Sequence, residues 1–150
     1  MSTLRAALEA ALGERYRVGE EFDAGGMARV FRAHDTRYDR DVAIKVLRPE
    51  VAGAIGGERF EREIRIAARL NHPHIVPLFD AGQAGTHLYY IMPFVEGESL
   101  RRRLDRDGRL PFDRAVRIAR DVAAGLAHAH GHGVIHRDIE PENMLLAEGA

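Results

Sequence analysis

A carboxylate and a carboxamide stand five residues apart near the carboxyl end of this chain. Asp138 and Asn143 lie in the stretch VIHRDIEPEN, residues 134–143. A short loop with this spacing can direct the Asp138 carboxylate at a substrate hydroxyl group, while Asn143 reaches a metal ion bound to the phosphates of a nucleotide. The spacing therefore suits chemistry on a hydroxyl group beside a metal-bound nucleotide.

A lysine on a predicted strand is the second chemical candidate. Lys45 lies in DVAIKVL, residues 41–47, which is rich in β-branched and apolar residues and is closed by Pro49. Such a lysine either extends its amine to solvent, as most do, or pairs with an anion. The helix predicted over residues 57–70 carries Glu63 beside its apolar face. A carboxylate in that place favours a buried ion pair with Lys45.

A glycine turn joins two further predicted strands. The turn is DAGGM, residues 23–27, and it contains Gly25 and Gly26. Glycines between strands allow backbone amides to approach phosphate oxygens without interference from a Cβ atom. A simple hairpin turn is the alternative interpretation of this pair.

The order of the predicted elements indicates a strand-rich segment followed by a helical one. The change of period comes after Gly97. A small β-rich lobe joined by a hinge to a helical lobe is the architecture that this order predicts. The predicted elements are a short lead helix ending near Gly13, strands at residues 16–22, 28–34, 41–47, 75–79 and 87–92 with a turn at 82–86 before the last, and helices at residues 57–70, 98–106 and from Pro111 to about His130.

Size and composition narrow the class of protein. The chain has 150 residues, enough for one ordinary domain with a core. Its net charge of −1 gives no sign of a nucleic-acid or anionic-membrane partner. The absence of cysteine excludes a disulfide scaffold and a cysteine zinc site, and it suits a reducing cytoplasm. The runs free of charge are too short to cross a bilayer.

Two residue clusters receive ordinary structural interpretations. His128, His130 and His132 alternate, and residues two apart on a helix point to different faces, so we interpret them as a helix end. The basic cluster at residues 101–103 is balanced by acidic neighbours, which predicts a solvated helix face.

Taken together, these motifs resemble the catalytic domain of bacterial serine/threonine protein kinases of the eukaryotic type. Residues 136–143 resemble the H-R-D-x-x-x-x-N catalytic loop, and residues 42–45 resemble the V-A-I-K strand motif. The resemblance covers the chain from about Tyr16 onward. It implies an α+β, protein-kinase-like fold with a lead helix at residues 1–15, a five-stranded amino-terminal lobe with helix C and the hinge at residues 16–95, and a partial carboxyl-terminal lobe with its first helices and the catalytic loop at residues 96–150.

The resemblance also implies a role for each site residue. Asp138 is expected to orient the acceptor hydroxyl, and Asn143 to bind Mg²⁺. The pair Lys45–Glu63 is expected to hold the phosphates of ATP. ATP and Mg²⁺ are thus the expected cofactors, and a protein with a Ser or Thr acceptor is the expected substrate. The expected nucleotide-binding residues are Gly25 and Gly26 in the glycine turn, Phe22, Val30 and Ala43 above the adenine, Leu145 below it, Met92 as gatekeeper, Pro93 and Val95 in the hinge, and Lys45.

Several features depart from the family pattern. Glu140 stands where the family has a lysine that bridges the transferring phosphate and the catalytic aspartate. A unit charge pair at about 4 Å is worth on the order of 4 kcal/mol at an effective dielectric constant of about 20. Even after discounting for solvent, the reversed sign lowers the rate by on the order of 10³-fold. Asp23 occupies the first glycine position, and these 150 residues contain no D-F-G motif.

These departures leave more than one function open. We expect a serine/threonine kinase domain that is truncated and inactive as this chain. A non-catalytic kinase-like module that binds a nucleotide or a protein is the alternative. A small-molecule phosphotransferase is a third interpretation, which the H-R-D loop with its P-E-N ending disfavours.

The long second-lobe helix is apolar over much of its circumference, which predicts burial on several sides. We therefore expect self-association through it or a loosely packed second lobe. We expect a cytoplasmic location, with any membrane anchor of a longer form lying outside these residues. The apolar positions are Val116, Ile118, Val122, Ala123, Leu126 and Ala127.

Overall fold

The computed structural model describes residues 3–22, 28–47, 57–134 and 144–147. The chain divides into two compact units, a sheet unit (Met1–Ala68 and Leu78–Phe94) and a helical unit (Arg69–Pro77 and Val95–Ala150). The described elements are α1 (Thr3–Leu12), β1 (Tyr16–Phe22), β2 (Ala28–Asp35), β3 (Arg40–Leu47), α2 (Gly57–Ala67), β4 (Asp80–Ala84), β5 (His87–Pro93), β6 (Gly97–Ser99), α3 (Leu100–Asp107), α4 (Phe112–Gly131) and β7 (Leu145–Ala147).

The sheet unit is built on a five-stranded antiparallel sheet with the strand order β1-β2-β3-β5-β4. Alternate residues of each strand project to opposite faces, so one face can be apolar throughout. On β3 that face is formed by Val42, Ile44 and Val46, which are at most 1% exposed. The main core consists of Leu4, Leu8, Tyr16, Phe31, Ala33, Val42, Ile44, Val46, Ala84, Tyr89 and Ile91.

Helix α1 covers this core, as the predicted lead helix. Leu4 and Leu8 stand four residues apart, on one side of the helix, and both are buried. Gly13 ends the helix with a φ of 63°, and its N–H donates to Glu9 O at 3.1 Å. The guanidinium of Arg5 donates to the carbonyl of Gly19 in β1 at 2.7 Å, which ties the helix to the edge of the sheet.

The predicted strand at residues 75–79 was wrong, because the strand lies at β4 instead. A turn with Gly85 at a φ of 62° pairs Ala84 with His87, and this register aligns Asp80 with Ile91. Residues 75–79 precede that register, although the Phe79 N–H donates to Ile91 O at 2.8 Å. The predicted turn at residues 82–86 shortens for the same reason to Gly85 and Thr86. Pairing with β5 therefore decides which residues become extended.

The other predicted strands and helices are confirmed with small changes at their ends. Helix α2 stops at Ala67, three residues before the predicted end. Its Phe60 is buried with Leu47 and Leu88, and Ile64 packs against the same cluster. The amphipathic pattern therefore places this helix against β3 and β5.

Helix α3 opens the helical part of the second unit and is capped at both ends. The Ser99 hydroxyl accepts a hydrogen bond from the Arg102 N–H at 3.1 Å. Gly108 ends the helix with a φ of 81°, and its N–H donates to Leu104 O at 2.8 Å. Arg106 forms a two-pronged ion pair with Glu98, at 2.7 Å for both bonds. The basic residues of this helix are thus partly balanced by neighbouring carboxylates.

Helix α4 begins after Pro111 and packs closely on the segment before β4. A Cβ atom at Gly125 would lie 3.1 Å from His74 O, so the glycine permits this approach. Among the described residues of the helical unit, those that are buried are Leu100, Gly125 and Ala129. The apolar side of α4 lies along an open groove of about 380 Å³. The groove is lined by Leu100, Leu110, Ala115, Ile118, Ala119, Val122, Ala123, Leu126 and Met144.

A short antiparallel pair that the sequence did not predict joins β6 to β7. Gly97 has a φ of 145°, and a Cβ atom there would collide with the carbonyl of Leu146. Glycine is therefore required where these strands meet. Among the described residues, no helix combines the length and the apolar character needed to cross a bilayer.

Candidate functional site

One row of predicted binding residues runs across the sheet. Phe22 lies opposite Val30, Val30 opposite Lys45, and Lys45 opposite Tyr90. Opposite residues of an antiparallel pair project to the same face. The four side chains therefore form a line from β1 to β5 on the face opposite the main core, where all four residues are half-buried.

A second row lies beside the first. Arg32 is opposite Ala43, and Ala43 is opposite Met92. Because Arg32 is two residues from Val30, both rows share one face. The structure thus brings the predicted Phe22, Val30, Ala43, Lys45 and Met92 together on one surface of the sheet unit.

Helix α2 brings an acidic residue to this surface. The ring of Phe60 lies 5.3 Å from the ring of Tyr90. Burial raises the pKa of the Tyr90 hydroxyl, and the carboxylate of Glu63 raises it further. The carboxylate of Glu63 therefore acts electrostatically on the cross-strand neighbour of Lys45.

The contact that Glu63 makes within its own helix is with Arg59, four residues earlier. The Arg59 Nε atom lies 3.3 Å from a Glu63 carboxylate oxygen, and each side chain is about half exposed. Such a surface pair is weak and exchangeable, worth about 0.3–0.5 kcal/mol. The ion pair of Lys45 with Glu63 stays a prediction.

The predicted hinge, residues 93–95, contains Phe94, to which the sequence analysis assigned no contact of its own. The ring of Phe94 lies 5.8 Å from the ring of Phe22, and the guanidinium carbon of Arg32 lies 4.1 Å from its centroid. Neither contact follows from a local sequence pattern. The sequence nevertheless shows an aromatic residue between Pro93 and Val95, which could have marked Phe94 as a candidate. Phe94 and Arg32 thus belong to the same surface as the predicted nucleotide residues.

Two predicted binding residues belong to the helical unit. Val95 is half-buried at its start. Leu145, predicted to lie below the adenine, pairs with Ser99 in the β6–β7 ladder and is 48% exposed. Their roles at a nucleotide stay predictions.

The loop residues of the predicted site lie outside the described residues. They are Gly25, Gly26 and Asp23 of the glycine turn, and Asp138, Glu140 and Asn143 of the loop near the carboxyl end. Their roles rest on the sequence.

A group of histidines meets between α4 and the segment before β4. The rings of His72 and His128 lie 5.3 Å apart, and those of His128 and His132 lie 4.5 Å apart. Nδ1 of His132 is 2.9 Å from the carbonyl of His128, at the helix end. Within the described ranges, no set of three His, Cys, Asp or Glu side chains has the arrangement of a metal site.

Comparison with known proteins gives relatives of one kind. The chain is 40% identical over 141 residues to the serine/threonine-protein kinase PknB of Mycobacterium leprae, which covers 91% of this chain and 23% of the relative. PknB of Mycolicibacterium smegmatis is 42% identical over 142 residues, with the same coverage. Pkn2 of Myxococcus xanthus is 40% identical over 140 residues, 93% of this chain and 17% of the relative. The chain thus spans less than a quarter of the length of these relatives.

A solved structure and a family model agree with these relatives. The Mycobacterium tuberculosis PknI kinase domain superposes with a TM-score of 0.79 at 33% identity, over 91% of this chain and 56% of that domain. The protein kinase domain model matches residues 16–150. The chain therefore belongs to the protein kinase domain family, among bacterial serine/threonine kinases of the eukaryotic type.

Proposed function

We propose that this chain provides the ATP-binding lobe and the catalytic loop of a bacterial serine/threonine protein kinase. The observation that carries the proposal is the surface of the sheet unit that holds Phe22, Val30, Ala43, Lys45 and Met92 in two adjoining rows. Its apolar members suit a flat purine base, and its lysine suits phosphate groups. A protein with a Ser or Thr hydroxyl is the proposed acceptor.

Each proposed role follows from the chemistry of the side chain. The Lys45 ammonium holds phosphate oxygens, and Glu63 is the carboxylate available to orient it. Asp138 accepts the proton of the acceptor hydroxyl and directs its oxygen toward the phosphorus. The carboxamide oxygen of Asn143 is a hard ligand of the kind that Mg²⁺ prefers. A Mg²⁺ ion held there would neutralise charge on the phosphates.

A second function is favoured by two carboxylates in the sequence. Glu140 would repel the transferring phosphate, and Asp23 adds negative charge at the glycine turn. Both favour a kinase-like module that binds a nucleotide or a protein partner without transferring phosphate. We place this part of the chain in the cytoplasm, because ATP is available there and the chain has no cysteine to be oxidised.

The groove of the helical unit supports a proposal about partners. Its walls are apolar and open along α4, and a soluble surface seldom leaves such a contiguous patch uncovered. We propose that a second copy of the chain covers it in solution.

The experiment that separates the two functions measures binding and transfer in the same sample. The natural protein is titrated with ATP and Mg²⁺ by calorimetry, and phosphate transfer to a Ser- and Thr-rich protein is followed with labelled ATP. The kinase proposal expects transfer that Asp138→Asn abolishes and that Glu140→Lys raises by on the order of 10³-fold. ATP binding without transfer, unchanged by Glu140→Lys, would establish the non-catalytic module. Absence of ATP binding would contradict the kinase proposal and the nucleotide-binding form of the module, and would leave binding of a protein partner.

A further inference from the structure

Phe94 follows β5 and has two ring contacts within the sheet unit. The Phe22 ring lies 5.8 Å away with an interplanar angle of 40°. The Arg32 guanidinium carbon lies 4.1 Å from the centroid of the Phe94 ring. Both distances fall within the ranges of aromatic pairs and of cation–π contacts. Phe94 thus connects the last residue of β1 with the middle of β2.

Arg32 is itself held in place by a carboxylate on β3. Its Nη2 and Nε atoms donate to the same Asp41 oxygen, at 2.6 and 3.0 Å. The other Asp41 oxygen lies 2.9 Å from Nδ1 of His34. These bonds restrict a long side chain that otherwise samples many rotamers. The guanidinium is therefore fixed over the Phe94 ring, and its charge is largely balanced by Asp41.

Arg32 also belongs to the candidate nucleotide surface. It lies directly opposite Ala43, and Phe22 lies opposite Val30, so the contact chain Arg32–Phe94–Phe22 borders both rows. Phe22 is the apolar end of this series of contacts, and it is proposed to cover the base. Arg32, on β2, is thereby linked to the base through the rings of Phe94 and Phe22.

We propose that Arg32 is a positioning residue for the purine base, acting through Phe94 on Phe22. This inference rests on the proposed ATP-binding function and names a determinant of that site. By holding Phe94 in one orientation, Arg32 gives Phe22 a fixed neighbour and reduces the freedom that both rings would lose when a base binds. Preorganisation of this kind improves affinity by lowering the ordering cost.

The proposal distinguishes binding of the base from binding of the phosphates. The side chains of Arg32 and Asp41 are both partly exposed, so solvent screens at the phosphates the charge on Asp41 that the loss of Arg32 leaves unbalanced. Affinity for ATP should therefore fall while affinity for inorganic tripolyphosphate, which has no base, stays the same. A general loss of structure would weaken both ligands.

The test titrates the full chain with ATP and with tripolyphosphate, and follows four variants by calorimetry. Arg32→Met and Phe94→Leu should each weaken ATP binding about three-fold, the size of one exposed cation–π contact. Arg32→Lys should retain near-normal affinity because it keeps a cation over the ring. The double variant Arg32→Met/Phe94→Leu should bind no more weakly than Phe94→Leu alone, since coupled residues are not additive.

A matched control exists elsewhere on the same unit. Arg40 lies over the ring of Phe79 at 3.9 Å, so Phe79→Leu removes a similar contact that has no link to Phe22. This variant should leave ATP affinity unchanged. Circular dichroism of all variants should match the unchanged chain.

Each outcome decides the matter. Unchanged ATP affinity in Arg32→Met, equal losses for ATP and tripolyphosphate, or additive losses in the double variant would overturn the positioning role while leaving the proposed function intact. Failure of the unaltered chain to bind ATP would overturn the proposed function, and this inference with it.

Discussion

The sheet unit and the helical unit satisfy their apolar side chains in different ways. In the sheet unit, Leu8, Val42 and Ile44 are 0% exposed and belong to one continuous cluster formed by the sheet and α1. In the helical unit, the described buried residues are Leu100, Gly125 and Ala129, and the apolar side of α4 lies along an open groove.

The sheet unit therefore has a closed hydrophobic core of its own, whereas the helical unit has an open apolar groove along α4. The sheet unit buries both its strands and its lead helix against one another, so its stability is expected to come from its own residues. The described part of the helical unit buries few apolar side chains, and the cap and ion pairs of α3 contribute about 1 kcal/mol or less each. Its stability is expected to depend on what covers the groove.

The largest expected effect compares two isoleucines. Ile44→Ala should lower the free energy of unfolding by about 2–5 kcal/mol, because it leaves a cavity in a closed core. Ile118→Ala, the same change in the open groove, should cost less than about 1 kcal/mol at protein concentrations too low for a second copy to cover the groove. Urea denaturation of both variants measures the difference. Equal losses at such low concentrations would show that residues of one chain close the groove.

The second prediction concerns the one buried charged residue of the described chain. Asp35 is 0% exposed, with Arg15 Nε at 3.6 Å and Arg40 Nε at 3.5 Å. Burial alone would raise the pKa of Asp35, but the N–H groups of Arg37 and Tyr38 and the charge of Arg15 outweigh it and lower the pKa. Asp35→Ala should cost about 2 kcal/mol, since it leaves these donors unpaired.

The pH dependence gives this prediction its sign. With a pKa lowered by folding, the Asp35 carboxylate contributes stability above its ordinary value near 3.8 and loses it as the pH falls toward the folded value. Denaturation series at pH 7 and at pH 3 should therefore show a smaller difference between Asp35→Ala and the unaltered chain at pH 3. A difference that grows in acid would contradict the assignment.

The third prediction tests whether a second copy covers the groove. Ala123 lines the groove and Ala124 does not, although both are exposed. Ala123→Glu should weaken self-association at least about ten-fold, because a charge would be buried without a partner. Ala124→Glu should have little effect. Sedimentation over a range of concentrations measures both, and equal constants for the two variants would exclude this surface.

The smallest expected effect is an opposite response of the two units to pH. In the sheet unit, hydrogen bonds to Asp41 and Asp39 raise the pKa of His34, and each ring nitrogen faces a carboxylate, at 2.9 and 2.8 Å. In the helical unit, burial and then the neighbouring His132 and His72 lower the pKa of His128.

The direction of each pH effect follows from the linkage between proton binding and folding. The contribution of His34 to folding stability is fully present below its ordinary pKa near 6.5. It is lost as the pH rises through the raised pKa of the folded state. The contribution of His128 to folding stability is fully present above the ordinary histidine pKa of about 6.5. It is lost as the pH falls below that value. Hydrogen exchange, corrected for intrinsic rates, should show the helical unit loosening between pH 7 and pH 5.5 while the sheet unit does not. His128→Phe should remove the response of the helical unit, and His34→Asn should leave it.

Much of the fold could be predicted because it is recorded in local patterns. Alternation on β3, the four-residue spacing of Leu4 and Leu8, and the run from Pro111 to Gly131 each identify an element without reference to the rest of the chain. The same holds for the motif residues, because the spacing of Lys45 from the glycine turn is a property of the chain itself. Side-chain type and spacing were sufficient for family membership, which the comparisons confirm.

Strand β4 shows where local patterns stop being informative. Its sequence DAGQA has little intrinsic preference for an extended conformation, whereas residues 75–79 contain Ile, Val, Leu and Phe. Hydrogen bonding to β5 nevertheless selects Asp80–Ala84, since the turn at Gly85 sets the register. Pairing across strands supplies an energy that residue preference does not contain.

The amino-acid sequence by itself determined which residue types are available for the chemistry and which elements carry them. Only the tertiary structure decided that Arg32 and Phe94, remote in the chain, meet at 4.1 Å beside Phe22. It also decided that the apolar side of α4 borders an open groove while that of β3 is closed. The physical reason is that periodicity records which side of an element is apolar, whereas the neighbour that covers that side is set by register and packing between distant segments.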